Sequence, residues 1–145
     1  MAEVIVYVEA EIYPTEDEDR VRAAVNNVLG NASITIKLAQ KASTLTAEAQ
    51  GQESLIKFRN LLRQDRIRDA ARKLLFRAIS GNTIGFCLNK QVASAGHVSF
   101  SEEIAESPLG PIRFTIKTDS PRQLIEWLAE KTLNMKGAAW LKEQK

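Results

Sequence analysis

The chain has 145 residues, 44% of them hydrophobic and 26% charged, with 20 Lys and Arg against 18 Asp and Glu. That size and balance fit one globular body, with no apolar run near the ~18–20 residues that a membrane span needs. A single cysteine forms no internal disulfide, so a cytoplasmic protein is expected, without a Cys/His metal cluster and without a cofactor.

The net charge of +2 conceals a segregation. Residues 1–53 hold 4 basic and 9 acidic residues, whereas residues 54–97 hold 9 basic and 2 acidic ones. The middle third is a basic block, and a concentrated positive field favours polyanions.

In chain order, Val4, Val6, Val8, Ala10 and Ile12 alternate with positions that include Glu3, Glu9 and Glu11, which predicts a strand over residues 3–13 rather than a signal peptide. Pro14 stops it, and "TEDE" (Thr15–Glu18) reads as a capping box opening a helix through about Leu29. The acidic run Glu16–Asp19 reads as first-turn carboxylates that complement the helix dipole. "SITIKLA" and "STLTAEA" predict a hairpin with Ile34, Ile36, Leu38, Leu45, Ala47 and Ala49 facing the core.

Residues 54–80 are helical in composition but not one rod. Leu55, Phe58, Leu61 and Leu62 cluster about 170° away from Ile67, Ala71, Leu74 and Ala78 on a helical projection. A break or sharp kink at Arg63–Gln64–Asp65 is expected, with Asp65 as a candidate N-cap of the second half. "GNTIGFCLN" then reads as a strand, "KQVASAG" as a short turn and "HVSF" as resumed strand. "SPLGP" is a turn, and residues 112–117 form a last strand. "SPRQ" opens a helix with Leu124, Ile125, Trp127 and Leu128 on its packing face. The expected fold is α+β: a single domain over residues 1–133, a largely antiparallel sheet with helices on one side, and a tail over 134–145. Trp140 and Leu141 of that tail are expected to tuck onto the body or a second subunit.

The lone Cys87 and the lone His97 invite a catalytic reading, but both fall on odd positions of alternating segments with no third orienting group. Phosphate loops, nucleophile elbows and paired-histidine metal motifs are absent from the sequence. No catalytic residue and no metal ligand is expected.

The segments "YPTEDEDRVRAAVNN", "LLRQDRIRDAARKLL", "GNTIGFCLNKQVASAGHVSF", "ESPLGPIRFTI" and "LIEWLA" together resemble an uncharacterised archaeal protein family of predicted RNA-binding proteins. The resemblance covers about residues 3–130, with "RQDRIRDAAR", "LNKQ" and "ESPLGPI" as its signatures. It implies RNA as partner and a fold similar to the ribosomal large-subunit protein L-five. It brings no catalytic residue with it.

The residues themselves supply the candidate surface. Arg66, Lys73 and Arg77 fall within ~40° of one another on a helical projection, with Arg68 and Arg72 as a flanking i, i+4 pair and Arg63 extending the run. Lys90 is a weaker candidate. Arginine forks suit phosphate oxygens, and such contacts carry little sequence information, so sequence-specific DNA binding is not expected. The outward strand positions offer Tyr7 as the one aromatic well inside a strand, too few for base stacking, so backbone and shape recognition of structured RNA is predicted. Two alternatives stand beside it. One is a homo-oligomer, such as a homodimer, whose basic helix meets a neighbour's acidic "EDED" helix. The other is an enzyme on a small anionic substrate, with a pocket near Lys90 and Arg113.

Overall fold

Val4, Val6, Val8, Ala10 and Ile12 turn every second side chain of β1 (Val4–Ile12) into the interior, and this strand becomes central to a seven-stranded sheet. The structure, a computed structural model, describes residues 3–101 and 110–131. The other strands are β2 (Ser33–Lys37), β3 (Ser43–Gln50), β4 (Ile79–Ser80), β5 (Thr83–Asn89), β6 (Phe100–Ser101) and β7 (Pro111–Thr118). They run in the order β2-β3-β1-β7-β5-β4, with β6 also paired to β5, and each pairing is antiparallel. The helices are α1 (Glu18–Val28), α2 (Ile56–Gln64), α3 (Arg68–Arg77), α4 (Lys90–Ser94) and α5 (Pro121–Leu128), with a 3-10 turn at Gln52–Leu55 before α2. None of the described helices is long and apolar enough to cross a membrane.

The register gives the sheet two unlike faces. Ala47, Val8, Phe114 and Phe86 lie in one row across β3, β1, β7 and β5, all buried. Onto this face pack Val21, Val25 and Val28 of α1, Phe58 and Leu62 of α2, and Leu124, Ile125 and Leu128 of α5. Phe58 stacks on Phe86 at 5.4 Å and Phe86 on Phe114 at 5.2 Å, while Phe100 meets Phe86 edge-on at 5.8 Å. Such ring pairs add about 0.5–1.5 kcal/mol each beyond area burial, and the Phe58 pair pins α2 against β5. The opposite face presents Thr35, Lys37, Thr46, Glu48, Tyr7, Glu9, Thr115 and Lys117, all exposed. The expected α+β arrangement, with an antiparallel sheet and helices, is what the chain forms.

Several local expectations are corrected. The N-cap of α1 is Asp17, whose carboxylate accepts from the Asp19 N–H at 2.9 Å, and not Thr15. Glu16 lies before the helix, where it accepts from the Tyr13 N–H, so it is no first-turn carboxylate. Leu38 does not face the core: β2 ends at Lys37, and Leu38 is 78% exposed. The helical segment ends at Arg77, and Ile79–Ser80 form a strand that the composition did not announce. "HVSF" pairs only from Phe100, so His97 stands before the strand. Ser120 precedes α5 without making a side-chain cap bond, and Pro121 alone sets that start. Residues 107–109 of "SPLGP" and the tail over 134–145 lie outside the described residues.

The break in the basic segment is present over residues 65–67, two residues later than expected, and is built differently. α2 closes with the Ile67 N–H bonding the Leu62 carbonyl and the Arg66 N–H bonding the Arg63 carbonyl. This is the Schellman pattern, which needs a left-handed residue at its turn. Arg66 takes that role at φ 58°. Asp65 is not the cap of α3, because Ile67 occupies that position without a side-chain bond. The Asp65 carboxylate instead crosses to the segment before β6, bonding the His97 ring at 3.0 Å and the Val98 N–H at 2.9 Å.

Candidate functional site

Packing of α5 against α2 and α3 sorts most cations of the basic block into two groups. One group turns toward α5. Arg72 makes a two-pronged contact with Glu126, at 2.6 and 2.7 Å. Arg59 bonds Glu130 at 2.8 Å and the Trp127 carbonyl at 2.8 Å, and its guanidinium lies 5.1 Å from the Trp127 ring centre. Arg63 also bonds Glu130. The Arg72 guanidinium holds the Glu126 carboxyl below its ordinary value, and Arg63, then Arg59, do the same to Glu130, in each case against the upward push of desolvation. These three arginines clamp α5 onto α2 and α3.

The other group stays in solvent. Arg66, Lys73 and Arg77 are exposed and Arg68 half-exposed, and none of the four makes an ion pair among the described residues. Lys73 and Arg77 stand one turn apart on α3, whose ten residues span about 15 Å. Arg66 does not belong to that helix, so the expected alignment on a single projection is replaced by a loop cation beside a helical pair. Its left-handed backbone costs an L-residue about 1 kcal/mol that glycine would not incur. Asp69, also exposed, interrupts the positive run on the same helix.

Lys90 leaves the candidate surface. It is 3% exposed, and its ammonium donates to the Glu11 carbonyl at 2.7 Å and to both oxygens of Glu16 at 3.0 and 3.1 Å. A buried ammonium so engaged has no donor directed outward. The Asn89 side chain, which caps α4 through the Val92 N–H, fixes the turn that carries it. Nor do Lys90 and Arg113 share a pocket. A cavity of about 250 Å³ beside Lys90 is lined by Glu16, Asp17, Arg20 and Gln91. Arg113 instead borders two depressions on the other face, one of about 580 Å³ with Tyr7 and Glu48 and one of about 600 Å³ with Arg77, Gly85 and Cys87.

The thiol and the imidazole are likewise apart. Cys87 lies opposite Arg113 on β7 and Ser101 on β6, while the His97 ring is bound to Asp65. Desolvation would raise the Asp65 carboxyl, but the His97 ring and the Val98 N–H outweigh it and lower it. That bond ties the α2–α3 break to the approach of β6.

Arg122 was not singled out in the sequence. Its guanidinium lies 5.5 Å from the Phe76 ring centre, and that of Arg72 lies 5.0 Å from the same ring. The positive surface of α3 therefore continues onto the first turn of α5. Pro121 and Ser120 announced that turn, but only the α3–α5 packing brings it beside Phe76.

Comparison with known proteins places this geometry in context. A family model described as RNA binding matches residues 5–118. The UPF0201 protein of Sulfurisphaera tokodaii is 42% identical over 127 residues, covering 88% of each chain. That of Saccharolobus solfataricus is 41% identical over 129 residues, covering 89% of each. The crystal structure of the UPF0201 protein from Methanococcus jannaschii superposes with a TM-score of 0.77 at 29% identity, over 86% of this chain and 98% of that one. On these matches the chain belongs to the UPF0201 family.

Proposed function

We propose that the chain binds structured RNA through its phosphate backbone, as a non-catalytic protein, with Arg66, Arg68, Lys73 and Arg77 making the contacts. The observation that carries this reading is the division of the basic block. Three of its arginines are consumed by α5, yet four further cations remain in solvent along α3 and the loop before it. A block that served only to hold α5 would not need them. Arg66 sharpens the point, because glycine would close α2 with less strain and would supply no charge. The description of the matching family model supports the same partner.

Recognition rests on backbone and shape. The open sheet face is rich in threonine, and Tyr7 is its one exposed aromatic among the described residues, so it offers no platform for several stacked bases. The solved structure described above is a UPF0201 protein, and the reading stands without the likeness to L-five. The acidic helix is a poor counter-surface for a neighbour's basic one. Glu16 is held by Lys90, Asp17 caps α1 and Glu18 bonds Arg22. Arg63 and Arg72 act here by positioning α5 and α3, and Lys90 by joining β5 to the start of α1.

The test is a titration of the wild type and of an Arg66→Glu, Arg77→Glu double variant with a structured RNA, after circular dichroism shows both folded. Reversing two exposed charges replaces attraction with repulsion while sparing the core, so affinity is expected to fall at least about tenfold. Equal affinities, or no wild-type binding even at low salt, would refute the reading.

A further inference from the structure

β2 ends the sheet, and no described strand lies along its outer side. Unpaired edge N–H and C=O groups are a template for another extended strand unless proline, charge or a covering segment blocks them. Among the described residues nothing of that kind blocks this one: "SITIK" has no proline, and its one charge, Lys37, is its last residue. Its apolar side is also left incomplete. Ile34 and Ile36 touch the core but are only half-buried, and Leu38 just beyond them is open to solvent.

We propose that β2 pairs with β2 of a second copy of this chain, antiparallel, about a two-fold axis at Thr35. This places Ile34 opposite Ile36 of the partner subunit and Thr35 opposite Thr35 of the partner subunit. Leu38 falls opposite Ala32 of the partner subunit, so each exposed apolar side chain gains an apolar neighbour on the helix-bearing side. An interface of this symmetry requires one patch to complement itself, and this alternation does so.

Charge argues for the same register. Lys37 falls opposite Ser33 of the partner subunit, and Ser33 is itself opposite Glu48 on the next strand. Two strand spacings are about 9.6 Å, which an extended lysine and glutamate close across a small serine. Within one chain the two are kept apart. Lys37 lies opposite Thr44, four residues or about 13 Å along β3 from Glu48. The complementarity of Lys37 and Glu48 is therefore expressed only between copies, twice by symmetry. Centring the axis one residue to either side loses it, since Lys37 then faces Thr35 or runs past the strand end.

The test is sedimentation velocity over a range of concentrations on nuclease-treated protein, so that RNA binding does not enter the result. The wild type is expected to dimerise reversibly. Lys37→Glu and Glu48→Lys each reverse two symmetric contacts and are expected to weaken the dimer roughly thirtyfold. The double variant carrying both changes is expected to recover to within about threefold of wild type. Leu38→Asp, at a position exposed in the monomer, is expected to weaken the dimer about tenfold without unfolding it. A wild type that stays monomeric throughout would overturn the proposal and leave the edge to another protein's strand. So would a dimer indifferent to all three single changes, or one that the charge exchange fails to restore.

Discussion

Arg72 and Lys73 are adjacent in the chain and opposite in employment. Arg72 turns to α5, grips Glu126 with both nitrogens of its fork and covers Phe76. Lys73, about 100° further round α3, stands in solvent with Arg77 one turn beyond. The same division separates Arg63 from Arg66, two cations on either side of a helix end. A basic segment is therefore not one surface. What a cation does follows from whether a carboxylate of the covering helix reaches it, and that is set by tertiary packing. The paired set joins α5 to α2 and α3, and the open set is the surface we propose for a polyanion.

The largest effect is expected at the most deeply paired cation. Lys90→Ala leaves the Glu16 carboxylate buried without its partner, which costs about 3–5 kcal/mol. Urea unfolding should show a midpoint lowered accordingly, and a loss under about 1 kcal/mol would mean that water replaces the ammonium. At the open end of the scale Arg66→Gly should do the reverse. Relief of the left-handed backbone is expected to raise stability by about 1 kcal/mol while affinity for RNA falls, so the two readouts move in opposite directions. A loss of stability on that change would show that the Arg66 side chain has a structural partner.

Apart from β4, the order of elements was legible in the sequence because each rested on local chemistry. Alternation marked β1 and β7, Pro121 marked the start of α5, and the swing of the apolar stripe marked the α2–α3 break. What was not legible depended on residues distant in the chain. Asp65 looked like a cap by position, but its acceptors are used by His97 and Val98, 32 and 33 residues on. Lys90 looked like a surface cation, and only the packing of the β1–α1 turn against α4 shows Glu16 and the Glu11 carbonyl around it. Arg63 and Arg72 seemed equivalent to Arg66 and Lys73, because nothing local announces that Glu126 and Glu130 arrive from 54 and 67 residues away. Leu38 continued an apolar alternation that the strand itself did not continue.

Acid should sharpen the comparison from the paired side. The carboxyls of Glu126, Glu130 and Asp65 are all lowered in the folded protein, so the unfolded chain takes up protons first as pH falls. The stability they contribute is complete above the ordinary carboxylate range of about 4 and is lost as pH falls through their lowered values. Denaturant midpoints measured from pH 6 down to pH 2 should therefore fall, and less steeply for a Glu126→Gln, Glu130→Gln variant. Identical slopes would show that the α5 clamp adds nothing to folding.

The most direct measurement is the salt dependence of RNA affinity for three proteins: wild type, Lys73→Ala with Arg77→Ala, and Arg63→Ala with Arg72→Ala. Four open cations on phosphates predict a wild-type slope of roughly −3 in the logarithmic plot. Removing two open contacts is expected to bring it to about −1.5, with different RNAs weakened alike, because phosphate contacts carry little sequence information. Removing two paired arginines is expected to lower stability and leave the slope near −3. Equal slopes for the two double variants, or a flatter slope on losing Arg63 and Arg72 than on losing Lys73 and Arg77, would contradict the division on which the account rests.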